Sequence, residues 1–124
     1  MFLNVILLAV IGSTAAATGP NEISAGRLEQ TCLSLANNDL DTPQKQLDGV
    51  ACATFIAGFV DGVEVMNAIT KAELVCINEK NKDTLKIVKN YIDYLKYKPE
   101  HRTLPAKLIM FGIVGMIFAC NKEL

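Results

Sequence analysis

Apolar residues recur at helical spacing in three stretches of this chain, and a fourth stretch is apolar on nearly every side. In the first, Leu28, Cys32 and Leu35 fall three or four positions apart on one stripe. This predicts a helix from Ala25 to about Ala36, with Ser24 placed to cap its first turn. The run Asn37-Asn38-Asp39-Leu40-Asp41-Thr42-Pro43 then ends it. Short polar side chains there compete for backbone hydrogen bonds, and Pro43 lacks a donor.

A second helix is expected to begin near Pro43, since proline is tolerated in a first turn. It runs toward Ile69 with Cys52, Ile56, Phe59, Val60 and Val63 facing the core. Gly49, Gly58 and Gly62 weaken it by about 1 kcal/mol each relative to alanine. Gly58 and Gly62 share a face, which predicts either close approach of another backbone or a kink. So long a helix, roughly 39 Å, leads us to expect a bend or a second, shorter helix before Lys71.

Residues 78–83 read as a polar turn, with Asp83 or Asn81 capping a third helix that buries Leu85, Val88, Tyr91 or Ile92, and Leu95. Lys96 to Pro99 ends that helix. Thr103 is the expected cap of the last one, with Pro105 in its first turn. From Leu108 to Ala119 the chain is uncharged and apolar almost all round, too short to span a membrane and suited to a central core helix. Only Leu74–Ile77 is ambiguous enough to suggest a strand. The fold class is therefore all-α, a small bundle of four to five helices.

Composition narrows the class of protein. At 124 residues with a 51% apolar share and four prolines, the chain is long enough for one folded domain and too apolar for disorder. A net charge of −1 gives no reason to expect nucleic acid or anionic lipid as a partner. The charges are unevenly spread. Two basic residues stand against seven acidic ones up to residue 70, and nine basic against five acidic over residues 71–107. Such asymmetry suits a charged docking face, and equally an ordinary solvated surface.

The N-terminal run Phe2-Leu3-Asn4-Val5-Ile6-Leu7-Leu8-Ala9-Val10-Ile11, followed by Gly12-Ser13-Thr14 and Ala15-Ala16-Ala17, reads as an export signal cleaved near Ala17. No Lys or Arg precedes the apolar run. Residues 1–17 are thus the expected signal peptide and 18–124 the helical domain. Export agrees with the even count of cysteines, Cys32, Cys52, Cys76 and Cys120. Four cysteines allow three pairings, of which the helical reading favours Cys32 with Cys52 across an antiparallel hairpin. Cys76 with Cys120 would then tie the mid-chain loop to the end of the last helix. Chain entropy values the two loops at roughly 3 and 4 kcal/mol. Spacings of about 20 residues or more do not suit an all-cysteine zinc site, and there is no Cys-x-x-Cys redox pair.

No catalytic set stands out. His101 is the single histidine, and a Ser–His–Asp arrangement from Ser24 or Ser34, His101 and Asp61 lacks any nucleophile elbow. Gly58-Phe59-Val60-Asp61-Gly62 lacks phosphate-loop spacing. The expectation is a protein that is not an enzyme and carries no cofactor or metal.

Several segments in order resemble one known family. They are Ser24-Ala25-Gly26-Arg27-Leu28 leading to Cys32, then Cys52-Ala53-Thr54-Phe55-Ile56-Ala57-Gly58-Phe59-Val60-Asp61-Gly62, Val75-Cys76-Ile77 and Val88-Lys89-Asn90-Tyr91-Ile92. His101 followed by Ala106 and Leu108, and the late Cys120, complete the match. Together they resemble the Rap1a/Tai immunity proteins across nearly the whole mature chain. The family pattern has proline where this chain has Asn78 and Ala119, which are turn details.

The resemblance implies a small, exported, helical protein with bridges Cys32–Cys52 and Cys76–Cys120. It also implies a role in neutralising a toxin injected by a type VI secretion system, such as a periplasmic peptidoglycan amidase. The expected partner is that secreted toxin. The polar loop 37–43 and the segment 96–103 are candidate contacts, above all Lys96, Lys98, Glu100, His101 and Arg102. A periplasmic chaperone or envelope-complex subunit is the alternative function. A homodimer is possible through the glycine-bearing faces, which packing within one chain would explain equally well.

Overall fold

A computed structural model describes residues 22–71, 73 and 75–120. The expected signal peptide lies outside these residues. Among the described residues there are four α-helices and one 3-10 turn: α1 (Ala25–Ala36), α2 (Pro43–Thr70), α3 (Thr84–Tyr97), the 3-10 turn (Pro99–Thr103) and α4 (Ala106–Ile117). The all-α bundle expected from the sequence is what forms. Among the described residues, the only β pairing is an isolated bridge between Ser24 and Pro105, so residues 75–77 make no strand.

Helix α1 starts where the Ser24 hydroxyl accepts the Arg27 amide at 3.1 Å. It stops at Asn37, after which Asn38 takes a left-handed φ of 52°, a conformation asparagine tolerates. The Asp39 amide then returns to the Ser34 carbonyl at 2.9 Å, satisfying an orphan acceptor of the last turn. Helix α1 contacts every other helix and the 3-10 turn, and its buried Ala25, Leu28 and Cys32 belong to the core cluster.

Helix α2 is capped by the Thr42 side chain, which accepts the Lys45 amide, with Pro43 at its first position. The expected second, shorter helix before Lys71 does not form; one helix of 28 residues continues to Thr70, about 42 Å by helical rise. Gly49, Cys52, Ile56, Val60 and Val63 form an unbroken buried stripe that holds its register, while Phe59 is only partly buried. Close approach of another backbone does not explain Gly58 and Gly62, because a Cβ at either would meet nothing within 4 Å among the described residues. Both glycines face outward, and no packing within the chain explains them.

By length and composition α2 would be apolar enough to cross a bilayer. Here its buried stripe is fastened to α1 through Cys52, and the charged residues Asp48, Asp61 and Glu64 stand elsewhere along the helix.

Helix α3 is capped by Asp83, whose carboxylate accepts the Lys86 amide at 3.3 Å. It buries Ile87, Val88, Tyr91, Ile92 and Leu95, two rows of i,i+4 neighbours. The stripe therefore begins at Ile87, and Leu85, expected in the core, is 41% exposed.

Thr103 does not cap α4. It closes the 3-10 turn, where its hydroxyl donates to the Glu100 carbonyl at 3.4 Å. The chain solves the N-terminus of α4 by lacing it to that of α1: Ala25 N–H donates to Leu104 O at 2.7 Å and Ala106 N–H to Ile23 O at 2.9 Å. The residues leading into each helix thus supply an acceptor for a donor the other helix would leave unpaired.

Helix α4 is not the central core helix. It buries Ala106, Ile109, Met110, Ile113 and Val114, but Leu108, Phe111 and Met116 on its other side are more than half exposed. The bundle is covered by α4 on one flank only, and α1 takes the middle.

The Cys32–Cys52 and Cys76–Cys120 disulfides join Cα atoms 5.1 and 4.9 Å apart. The first pins α1 to α2 inside the core. The second ties the α2–α3 connection to the residues after α4. Among the described residues no cysteine is free.

Candidate partner-binding surface

One end of the molecule gathers the last turn of α3, the 3-10 turn and the first turns of α1 and α4. Glu29, although charged, lies on the buried side of α1 at 5% exposure. Its two carboxylate oxygens accept from Arg102 Nε at 2.7 Å and from the terminal NH2 group at 2.9 Å. This fork-on-fork pair anchors the 3-10 turn to α1. Glu29 raises the Arg102 pKa further, so the guanidinium stays charged. Gly26 makes the approach possible, since a Cβ there would stand 3.1 Å from Arg102 Cβ and 3.3 Å from its carbonyl oxygen.

Two further bonds set the same end. The Tyr91 hydroxyl donates to the Ala25 carbonyl at 2.8 Å, and burial, with Glu29 adding to it, pushes the phenol well above its ordinary value. Tyr94 Oη pairs with His101 Nδ1 at 2.7 Å, the rings 5.7 Å apart. His101 is therefore held across the α3–α4 connection by Tyr94.

The sequence-derived contact residues divide into two groups here. Arg102 is committed to Glu29 and His101 to Tyr94, each half-buried. Lys96, Lys98 and Glu100 are exposed. Between them Tyr97 projects at 78% exposure, with the Lys98 ammonium 5.5 Å from its ring centroid. Tyr97 is the residue that sequence reasoning passed over. Its signal was present, because a tyrosine beyond Leu95, the last core position, has no core place to fill. Glu29 was also legible as an acid beside the Leu28 stripe, where an isolated carboxylate would be costly.

The other candidate loop, 37–43, lies at the far end of α1, about 17 Å away by helical rise. There Lys45 bridges Asp39 at 2.7 Å and Asp41 at 3.1 Å, which holds the Asp39 carboxyl below its usual range and raises the lysine. The two loops thus carry opposite charge at opposite ends rather than on one face.

Among the described residues Ser24, His101 and Asp61 assemble no triad. Ser24 is occupied as a helix cap, His101 is paired with Tyr94, and Asp61 lines a separate cleft with Lys82 and Asp83. Among the described residues, Glu73, Cys76 and Cys120 bring potential metal-ligand atoms within 4.8 Å of one another, but both sulfurs are spent in a disulfide and offer no thiolate.

The model of the Rap1a immunity proteins matches residues 24–120, from the cap of α1 to the cysteine that closes the second bridge. The chain belongs to the Rap1a family. Comparison with curated proteins and with solved structures gives no match. Membership makes this Rap1a protein an immunity protein of the type VI secretion class that acts in the periplasm on a secreted toxin, and not an enzyme. The matched span takes in α1, the 3-10 turn and both disulfides, so the end built on Glu29 and Arg102 lies within the family domain.

Proposed function

We propose that this Rap1a protein neutralises a peptidoglycan amidase by laying its 96–103 end across the enzyme's cleft, after export and cleavage near Ala17. The observation that carries the reading is a segment fixed by Arg102–Glu29 and Tyr94–His101 while Lys96, Tyr97, Lys98 and Glu100 project from it. A preformed surface of this kind loses little conformational freedom on binding, which suits a tight inhibitor. The exposed Tyr97 is also of a residue type enriched among interface anchors. The acidic loop 37–43 is a secondary contact at most, because it faces the opposite way.

Production of the adjacent gene's toxin in the periplasm, with and without this protein, tests the reading. Survival only when the protein is present, together with co-purification, is expected. Absence of both protection and binding across the neighbouring secreted effectors would refute it.

The exposed apolar side of the molecule supports pairing with a second copy. Gly58, Phe59, Gly62, Val63, Met66 and Phe111 line a groove of about 430 Å³ between α2 and α4. Phe111 and Met66 stand beside open glycines, a ridge next to a furrow, and in the proposed two-fold pair each copy's Phe111 would lie over the other's Gly58 and Gly62. Sedimentation at micromolar concentration is expected to show a dimer that Phe111→Glu converts to monomer. A monomeric wild-type protein would rule the pairing out.

A further inference from the structure

The two disulfides stand in opposite surroundings. Cys32 and Cys52 have no exposed surface and sit between α1 and α2. Cys76 is exposed and Cys120 half-exposed. The segment that carries Cys76 meets the core through few side chains, since among the described residues from 71 to 83 only Val75 is buried and Ile77 packs partly buried against the core. Besides the bridge, its ties to the bundle include Cys76 N–H to Phe118 O at 2.7 Å and Asn67 Nδ2 to Val75 O at 2.9 Å. The Lys82–Glu64 ion pair at 2.7 Å adds a partly exposed tie. An open groove of about 470 Å³, lined by Glu64, Asn67, Glu73, Cys76 and Asn78, lies directly alongside and gives another molecule room to reach the bridge.

We propose that Cys76–Cys120 is a redox-operated latch, opened by an external dithiol while Cys32–Cys52 stays closed, which frees residues 73–83 from the end of α4. One thiolate of the dithiol attacks a latch sulfur, forming a mixed disulfide and expelling the other latch cysteine as thiolate, which takes up a proton. The second dithiol sulfur, as thiolate, then displaces the protein sulfur. The protein gains two thiols and the reductant leaves as its own disulfide. Access decides which bridge reacts, because the inner pair is reached only when the core opens. Opening the latch leaves α1 and α2 joined and the buried faces of α3 and α4 in place. In reducing surroundings the chain therefore loosens at this one edge, where residues 73–83 become open to proteolysis. The inference does not depend on the identity of the toxin.

The oxidised full chain is treated with dithiothreitol under native conditions, quenched with iodoacetamide at intervals and mapped by peptide mass. Cys76 and Cys120 are expected to be alkylated together, more than about 100-fold faster than Cys32 and Cys52, so that a doubly alkylated species accumulates. Hydrogen exchange on that species is expected to rise over residues 73–83 and after α4, and to stay slow in α1. Reduction of all four cysteines at one rate, earlier reaction of the inner pair, or resistance of both bridges would overturn the latch. So would a doubly alkylated species whose exchange over 73–83 is unchanged.

Discussion

Replacing Tyr91 with alanine is expected to lower stability by about 3–5 kcal/mol, the range for deleting a buried aromatic side chain. Tyr91 has no exposed surface and ranks among the largest fully buried residues of a core that contains no tryptophan. Its ring lies among core residues contributed by all four helices, and its hydroxyl reaches back to Ala25 at the start of α1. Tyr91→Phe keeps the ring and loses one buried hydrogen bond, for which about 1 kcal/mol is expected. Chemical denaturation of the three proteins separates the two contributions. Equal losses in the alanine and phenylalanine variants would mean that the ring packs against nothing of consequence.

The same residue sets a dependence on pH. Burial raises the folded-state pKa of Tyr91 above that of the unfolded chain, about 10. Its contribution is therefore complete below pH about 10 and is lost as pH rises from there toward the folded value. Wild-type protein is expected to lose stability more steeply above pH about 10 than Tyr91→Phe does. Parallel alkaline slopes would contradict this.

Removing the inner bridge as Cys32→Ala with Cys52→Ala is the second large effect. The bridge spans 20 residues, and chain entropy assigns it about 3 kcal/mol. Both sulfurs are fully buried, so the double variant also loses packing at the α1–α2 contact. We expect a loss of about 3–5 kcal/mol, seen as a lower denaturation midpoint, which removes much of the margin of a domain this size. A midpoint within the error of wild type would show that packing alone holds the hairpin.

Much of the fold was legible because local chemistry and periodicity agreed. Ser24 and Asp83 cap the helices expected of them, Pro43 opens α2, and both bridges follow from the antiparallel α1–α2 hairpin. The misreadings share a cause, which is that tertiary contacts decided between local options. A long helix with outward glycines looks breakable in isolation, yet its buried stripe from Gly49 to Val63 is joined to α1 through Cys52 and the helix continues to Thr70. Apolarity of α4 on all sides suggested burial on all sides, whereas half of it faces outward beside the α2 groove. Thr103 had the right chemistry for a cap, but the strand-like exchange between residues 23–25 and 104–106 met the need first.

At the candidate surface, charge and polarity pointed to residues 96–103, and the structure shows how that end is assembled. What the sequence could not reveal is the division of labour within it. Only the fold shows that Arg102 turns inward to Glu29 while Tyr97 turns out.

The most direct measurement is a titration of the purified, oxidised protein against the toxin encoded beside it. It compares Lys96→Glu with Lys98→Glu against a control, Asp41→Lys, at the opposite end. We predict that the double lysine reversal weakens affinity by at least about 10-fold, with the control within about 3-fold of wild type. Unchanged affinity on reversing Lys96 and Lys98, with the loss appearing instead in Asp41→Lys, would contradict the account.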